Sequence, residues 1–419
     1  MRLKPAGRFA LLILIAGIAF GIWRWYRMSS GGKGSGLPSL TQGLPQKTDR
    51  EGVAPGATGE AAPSGSSGGD LVLITSATKR GWLEEQVDRF NGQQGGKMPI
   101  HVRYVETRAA MQAILAGKEK PVLWSPSSPI WAQRLSEAWS LPEFHHGSDD
   151  PVPVELNDTS RFRIYLRSPL VFLTTKARAT YLRPLLGGQD PWGSLRDLSL
   201  GRRKVPGQSG PFRFAHADPL SANSGFLTIA MILSDYVRRH GGSPETVANS
   251  AAFIQYLTEL EHGLVYDDTV RGGSSAIFKA FLDDPSRYGV ITTYESNALE
   301  AAASYPDLVV IYPIPTVVSE QTVVSFGGSW VTPEERAEAR AFLDFLAQPE
   351  SIAAGAKSHS RPVSASSGAS LDAELDGFRD RGFRKDFRSV DPPNYAALNA
   401  AAYQWRLHVA HLSATDAAH

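Results

Sequence analysis

The segment FAHADPLSANSGFLTI, Phe214–Ile229, is the most informative part of the sequence about the fold, because it places an apolar strand, a polar bend and a helix in direct succession. An apolar helical pattern over Phe226–Arg239 follows the polar residues Ser221, Asn223 and Ser224. A helix N-terminus leaves backbone N–H groups unpaired and carries the positive end of the helix dipole. The junction therefore predicts a receptor for an anionic or strongly polar group.

Three further strand-to-helix junctions carry hydroxyl groups in the same way. TSATKRGW follows the apolar run LVLIT (Leu71–Thr75), WSPSSPIW continues the run PVLWS (Pro121–Ser125), and RGGSSAIF precedes another helical pattern. A single serine at a helix start is most often structural. Ligands of open parallel sheets, however, collect at the carboxyl ends of the strands. Four such junctions in one chain therefore predict one shared ligand site.

The rest of the chain body alternates strand and helix patterns, which predicts an α/β fold with parallel sheets and helices on both faces. The further strand patterns are IHVRYVE (100–106), YLRSPLVFLTT (165–175), FRFAHAD (212–218), GLVYDD (263–268), GVITT (289–293) and LVVIYPIP (308–315). The further helix patterns are Arg108–Ala116, Ile130–Ala138 and Ala337–Leu346.

Composition excludes several classes of protein. The chain has 419 residues, with 43 Lys and Arg against 42 Asp and Glu, and it contains no cysteine. The balanced charge disfavours a nucleic-acid-binding protein. The lack of cysteine excludes disulfides, thiolate zinc sites, iron–sulfur clusters and the acylated cysteine of a bacterial lipoprotein.

Residues 1–28 are expected to form a membrane anchor. Phe9–Trp23 carries no charge and follows a short basic tail, which favours an orientation with the next domain outside the cytoplasm. A cleaved signal peptide is the alternative, but the bulky, basic residues 23–28 (WRWYRM) stand where the cleavage site should lie. Residues 29–69 are rich in Gly, Ser and Pro and lack aromatic residues, so a flexible linker is expected. The expected localisation is single-pass in the cell membrane.

FAHADPLSANSGFLTI is similar to the His-x-Asp-Pro and Ser-x-Asn-Ser-Gly segments of periplasmic solute-binding proteins with the type II fold, in the sulfate-, molybdate- and tungstate-binding branch of ABC-transporter receptors. LITSATKRGWLEEQVDRFN, KPVLWSPSSPIW, RSPLVFLTTKARA, GVITTYESNAL and IYPIPT resemble further segments of this family, in that order. The resemblance implies an α/β fold of two lobes that close on a ligand. Lobe 1 would contain residues 70–168 plus 313–419 and lobe 2 residues 169–312, with crossover strands near 168–173 and 311–315.

The resemblance also implies a solute site with no catalytic residue, cofactor or metal. The ligand would be a small polar or anionic solute, and the expected partners are an ABC permease and the membrane. His216 is expected to be a hydrogen-bonded core histidine rather than a metal ligand. The ligand contacts implied position by position are Ser76, Thr78, Trp124, Ser125, Ser127, Ser221, Asn223, Ser224, Gly273, Ser274, Tyr294 and Glu295.

Two other functions remain open from the sequence. The permanent anchor would also suit a tethered envelope sensor or scaffold with the same fold. Ser76-Ala-Thr-Lys79 matches the S-x-x-K pattern of serine acyl-enzymes, in which the lysine helps to deprotonate the serine. The companion motifs S-D-N and K-T-G are missing, and Ser76 directly follows a sheet strand instead of opening an interior helix.

Overall fold

The computed structural model describes residues 70–93, 98–141, 144, 152–208, 210–363 and 374–410. The expected anchor (1–28) and linker (29–69) lie outside the described residues. Among the helices that are described, none combines the length and the apolar character that a membrane crossing needs.

Strands and helices mostly alternate along the described chain. The strands are β1 (Leu71–Thr75), β2 (Ile100–Tyr104), β3 (Leu123–Ser125), β4 (Phe162–Thr175), β5 (Phe214–Ala215), β6 (Val290–Tyr294), β7 (Leu308–Ile311), β8 (Val318–Ser325) and β9 (Arg361–Pro362). The helices are α1 (Arg80–Gln93), α2 (Thr107–Leu115), α3 (Pro129–Ala138), α4 (Lys176–Leu186), α5 (Pro191–Ser199), α6 (Asn223–His240), α7 (Pro244–Val247), α8 (Ala251–Leu260), α9 (Asp268–Arg271), α10 (Ser274–Asp283), α11 (Glu295–Ser304), α12 (Pro333–Leu346), α13 (Pro349–Lys357) and α14 (Tyr395–Trp405). A short 3₁₀ turn, Ala77–Lys79, precedes α1.

Strand β4 belongs to two sheets. Up to Pro169 it pairs antiparallel with β8 and β9, and from Leu170 onward it pairs antiparallel with β6 and β7. The first sheet has the order β2-β1-β3-β8-β4, and the second places β6 between β4 and β5. Residues 312–317 return the chain from β7 in the second sheet to β8 in the first. These two connections give the two-lobe α/β architecture that the resemblance implies.

The sheets are mixed, so the expectation of parallel sheets is wrong for the strands that change sheet. Parallel pairing holds for β1 with β2 and β3 and for β5 with β6. Strand β8 is antiparallel to both β3 and β4. Strand β4 passes directly from the first sheet into the second, and residues 312–317 lead directly back to β8. Neither crossover contains the helix that normally connects two parallel strands, so β8 runs antiparallel to β4.

The predicted strand 263–268 is also wrong. Leu264 forms one isolated bridge with Phe214, and the chain then turns into α9. The Asp267 carboxylate accepts a hydrogen bond from the backbone N–H of Thr269 at 2.9 Å, which caps this helix. Asp267 can accept hydrogen bonds from free N–H groups and so favours a helix start at this point. This preference prevails over the strand that the preceding apolar residues predict.

Helix α6 is buried along most of its length and packs closely on the segment before it. Its residues from Asn223 to Leu233 are all buried. An ideal Cβ on Gly225 would lie 2.1 Å from the carbonyl oxygen of Ala217, so only glycine allows this approach. Gly225 therefore fixes the distance between α6 and the bend at residues 217–222.

The C-terminal helix α14 packs against α6, α7 and α8 and also contacts α3. Arg108 of α2 holds this helix by donating hydrogen bonds to the Asn399 side chain at 2.9 Å and the Tyr395 hydroxyl at 3.2 Å. Helices α6, α7 and α8 fall in the range expected for lobe 2, whereas α2 and α3 fall in lobe 1. Helix α14 therefore contacts helices from both of these ranges.

Candidate ligand-binding crevice

The first two junctions meet at the carboxyl ends of β1 and β3, which are parallel neighbours. The Ser76 and Ser127 hydroxyl oxygens lie 2.8 Å apart, and the Thr78 hydroxyl lies 3.0 Å from that of Ser76. Ser127 and Ser76 are buried, at 0% and 3% exposed, while Thr78 is half-buried. Three hydroxyl groups from two separate loops therefore form one cluster.

The other two junctions meet on the second sheet's side of the crevice. The Ser224 hydroxyl, at the start of α6, lies 2.5 Å from the Ser274 hydroxyl at the start of α10. Both residues are buried. Gly273 directly precedes α10 with a φ of 84°, a backbone conformation that glycine adopts without strain.

Asn223 connects the two sides. Its side-chain amide donates to the Ser127 carbonyl at 3.3 Å and to the Tyr294 hydroxyl at 3.0 Å. Its side-chain oxygen accepts from the Trp131 indole at 2.7 Å, and since an indole N–H can only donate, this bond fixes the orientation of the amide. The four predicted junctions and Tyr294 thus converge on one hydrogen-bonded crevice.

Lys79 and Gln321 complete the floor of the crevice and were not predicted as ligand contacts. The Lys79 ammonium donates to the Gln321 side-chain oxygen at 2.8 Å and to the Ser125 carbonyl at 2.9 Å. Gln321 in turn donates to the Ser319 hydroxyl at 3.0 Å, and Ser319 donates to the Ser127 carbonyl at 2.6 Å. Burial lowers the pKa of Lys79 from its ordinary 10.5 to about 7, although nearby Glu106 opposes the shift.

A cavity of about 460 Å³ opens beside this network, within the range of small-molecule sites in proteins. One wall comes from the turn before α1 and from β8, and the other from α10 and α11. The lining includes Thr78, Lys79, Ser168, Ser275, Tyr294, Ser296, Asn297 and Gln321. The crevice therefore keeps open space next to polar groups that bond to one another across it.

Helices that begin at the crevice start without a side-chain cap. This holds for the turn at Ala77–Lys79 and for α3, α6, α10 and α11. Helices α5, α8, α12 and α14, which begin elsewhere, are capped by Asp190, Ser250, Thr332 and Asn394, while α4 and α13 are uncapped. Several helix starts at the crevice thus leave their N–H groups to other partners.

Three predicted contacts are engaged elsewhere. Trp124 is fully buried and stacks on Phe326, with the ring centroids 6.5 Å apart, so it belongs to the core of the first sheet. The Ser125 hydroxyl donates to the Thr322 carbonyl of β8 at 2.6 Å. The Ser221 hydroxyl donates to the Asp218 carbonyl in its own bend, at 3.3 Å.

Glu295 is held by an ion pair away from the open cavity. Its carboxylate accepts two hydrogen bonds of 2.7 Å from the guanidinium of Arg361 and another from the Tyr312 hydroxyl. The side chain is 0% exposed, and burial raises its pKa against the opposing influence of Arg361. Since its oxygens are already bonded, Glu295 is not carried into the ligand site proposed below.

The geometry does not favour the acyl-enzyme alternative. The Ser76 hydroxyl bonds to the hydroxyls of Thr78 and Ser127, whereas the Lys79 ammonium bonds to Gln321 and to backbone carbonyls. No hydrogen bond joins Lys79 to Ser76 in the described part of the chain, so the lysine is not placed to take the serine proton.

His216 is a buried, hydrogen-bonded core histidine, as expected. One ring nitrogen contacts the Ala217 carbonyl at 2.8 Å and the other contacts the Glu261 carboxylate at 2.9 Å. Burial is the largest single influence and opposes the charge, but Glu261, the Ala217 carbonyl and Asp218 together raise the pKa of His216.

Comparisons with solved structures place the architecture among periplasmic binding proteins. The sulfate-binding protein SubI from Mycobacterium tuberculosis H37Rv is 16% identical with a TM-score of 0.53, over 79% of this chain and 96% of that one. A substrate-binding protein of an ABC transporter from Agrobacterium tumefaciens is 15% identical with a TM-score of 0.55, over 83% and 96%. A periplasmic thiamin binding protein is 12% identical with a TM-score of 0.56, over 84% and 99%. Such low identities show the fold alone.

Sequence comparison assigns the family. A search of curated proteins gave no match. The family model described as bacterial extracellular solute-binding protein matches residues 71–359, which is more than half of the chain. The chain therefore belongs to the bacterial extracellular solute-binding protein family.

Proposed function

We propose that this protein is a membrane-tethered extracytoplasmic receptor that captures a small polar or anionic solute between its two lobes and delivers it to an ABC permease. The observation that carries the proposal is the convergence of four separate strand-to-helix junctions on one polar crevice. The first junction contributes Ser76 and the second contributes Ser127. The third contributes Asn223 and Ser224, and the fourth contributes Ser274.

The proposed ligand site comprises the crevice residues whose polar groups face one another. It contains Ser76, Thr78, Lys79, Ser127, Asn223, Ser224, Gly273, Ser274, Tyr294 and Gln321. Their hydroxyl, amide and ammonium groups, with the uncapped helix starts, supply many donors, which suits a ligand rich in acceptor oxygens. A ligand that replaces the bonds across the crevice would hold both lobes and favour their closed arrangement.

We place the lobe boundaries where β4 changes sheets and where residues 312–317 return the chain. Lobe 1 then contains residues 70–168 and 313–363, and lobe 2 contains residues 169–312. Residues 374–410 form a segment that contacts both lobes through α14. This division is supported by the separate pairing of the two halves of β4.

A thermal-shift screen of the purified full chain tests solute capture. Pools of oxyanions, amino acids and sugars are added, and a ligand that binds only the folded state raises the melting temperature. Asn223→Ala is expected to abolish the shift given by the best solute, because Asn223 bridges the two sides. Ser199→Ala, a buried serine of α5 in the second lobe, is the matched control and should keep the shift. A full shift in Asn223→Ala would contradict the proposed site.

Membrane tethering requires its own experiment. The full chain is expected in the membrane fraction, with residues 70–419 accessible to protease from outside the cytoplasm. Replacing residues 1–28 by a cleavable signal peptide should release the protein in soluble form. Recovery of the unaltered chain in the soluble fraction would contradict tethering. Solute uptake that is unaffected by loss of the whole chain would contradict delivery to a permease.

A further inference from the structure

Two ionisable side chains of opposite sign lie at the crevice, Lys79 and Glu106, and neither forms a direct ion pair with any residue in the described part of the chain. Lys79 follows β1 and is 8% exposed. Glu106 follows β2 and is half-buried. Strands β1 and β2 are parallel neighbours, so their carboxyl ends bring the two groups to the same edge of the first sheet.

Lys79 is surrounded by neutral acceptors. Its ammonium bonds to Gln321, to the Ser125 carbonyl and, at 3.5 Å, to the Pro126 carbonyl. These groups satisfy its hydrogen-bonding capacity but carry no negative charge. Lys79 also lines the open cavity, so an anionic group in that space meets a buried lysine amine that has no bonded counter-ion among the described residues.

Glu106 is a carboxylate without a bonded partner. Its side chain makes no hydrogen bond or ion pair within the described ranges of the chain. It faces the opposite wall of the crevice, because an ideal Cβ on Gly273 would lie 3.7 Å from its carboxylate oxygen. Glu106 and Lys79 are close enough to influence each other's charge, yet they do not form an ion pair.

We propose that the solute is a zwitterion, with its anionic group near Lys79 and its cationic group near Glu106. This inference rests on the proposed function and names the class of solute for the same crevice. A ligand with one charge would neutralise one of the two groups and leave the other buried without compensation, which is unfavourable. A zwitterion compensates both groups at once.

The pKa values of both groups agree with this incomplete compensation. Burial lowers the pKa of Lys79 and raises that of Glu106, and in each case the attraction between the two groups is the smaller effect. Each group therefore stands to gain from a ligand charge of opposite sign. Besides Lys79, the cavity lining contains the charged residues Arg80, Glu85, Glu300 and Lys357, which are exposed, so solvent screens them.

A thermal-shift comparison of the full chain at pH 7.5 uses pools that differ in charge. The zwitterion pool contains amino acids, β-alanine, γ-aminobutyrate, taurine and glycine betaine. The other pools contain amino-acid amides as cations, 2-hydroxy acids and inorganic oxyanions as anions, and neutral sugars. The zwitterion pool is expected to give the largest shift. A larger shift from the anion, cation or sugar pool would overturn this inference while leaving the proposed receptor function intact. No shift from any pool would contradict the receptor function and this inference together.

Calorimetric titration then assigns the charges to residues. In the wild type, the best zwitterion should bind at least about tenfold more tightly than its amide or its deaminated acid. Glu106→Gln should abolish the preference over the deaminated acid, and Lys79→Met should abolish the preference over the amide. The exposed Glu137→Gln and Lys118→Met are the matched controls and should keep both preferences.

A charge-retaining variant keeps this assignment testable if Lys79→Met or Glu106→Gln does not fold. Lys79→Arg should keep the preference for the zwitterion over its amide, although with weaker binding. Preferences that are unchanged in both Glu106→Gln and Lys79→Met, or a preference over the amide that is lost in Lys79→Arg, would overturn the inference.

Discussion

Replacing Lys79 by methionine should stabilise the folded protein at neutral pH, because the buried ammonium is unfavourable in the absence of ligand. A pKa of about 7 instead of 10.5 corresponds to about 5 kcal/mol against the charged form. At pH 7 this reduces the free energy of unfolding by about 4 kcal/mol. Lys79→Met removes this penalty but leaves the Gln321 side-chain oxygen without a donor, which costs about 1 kcal/mol, whereas the Ser125 carbonyl keeps its hydrogen bond from the Thr75 hydroxyl at 3.0 Å. The variant should therefore be more stable than the wild type by about 3 kcal/mol.

The difference in stability between Lys79→Met and the wild type should depend on pH in a defined direction. The folded-state pKa of Lys79 lies below the unfolded-state value, so between about pH 7 and 10.5 the unfolded chain binds more protons. Wild-type stability should therefore rise with pH, and by pH 9 the penalty falls to about 2 kcal/mol. The advantage of Lys79→Met should then fall to about 1 kcal/mol.

Urea unfolding of the full chain, followed by circular dichroism at pH 7 and pH 9, measures both values. Lys118→Met removes an exposed lysine beyond the end of α2 and should stay within about 0.5 kcal/mol of the wild type at both pH values. A Lys79→Met protein that is less stable than the wild type at pH 7, or whose difference does not change with pH, would refute the reasoning.

Three further changes test the structure around the crevice. Gly225→Ala should lower the free energy of unfolding by about 1–3 kcal/mol, because the added Cβ would clash with the Ala217 carbonyl. The control Gly92→Ala has open space around the added Cβ and should not destabilise the protein. Urea titration compares the two variants. Glu295→Gln should cost about 3 kcal/mol by leaving the half-buried Arg361 guanidinium without its counter-charge. The exposed Glu300→Gln on the same helix should change thermal unfolding little. Because Glu261 raises the pKa of His216, the wild type should be more stable than Glu261→Gln. This advantage should be largest below about pH 6.5 and should decrease as the pH rises through the raised pKa of His216. An advantage that grows with pH in unfolding titrations would contradict the prediction.

The sequence predicts the junctions well because they depend on local patterns. Strand β1 matches the run LVLIT residue for residue, and the helices at 107–115 and 129–138 lie within one residue of their predicted bounds. Ser76 and Ser127 converge because β1 and β3 are parallel neighbours that end at the same edge of the first sheet. Asn223 follows a strand of the second sheet and reaches this pair through its hydrogen bond to the Ser127 carbonyl.

Strand β8 was not predicted, because its polar residues interrupt the apolar pattern. Ser319 and Gln321 reach the crevice, where they bond to the Ser127 carbonyl and to Lys79. The same polar residues that complete the site therefore make β8 hard to recognise as a strand from the sequence. Gln321 gives no signal in the sequence that would connect it with a lysine far away in the chain.

Charged residues were the least predictable part of the site. Lysine is rarely buried, so the sequence gives no reason to expect Lys79 inside the crevice. Glu295 lies at a strand-to-helix junction, where a ligand contact would be expected. Its ion-pair partner Arg361 lies on a β-strand that is distant in sequence, and local sequence patterns do not reveal such a tertiary contact.

Hydrogen–deuterium exchange of the full chain, with and without the best solute of the thermal-shift screen, tests the shared crevice most directly. Binding there should slow exchange together in four distant segments, residues 76–80, 125–131, 223–228 and 274–278, because their helix starts surround one ligand. Slowed exchange confined to residues 383–394 or 205–208, which belong to the linings of two further cavities, with the four crevice segments unchanged, would contradict the account.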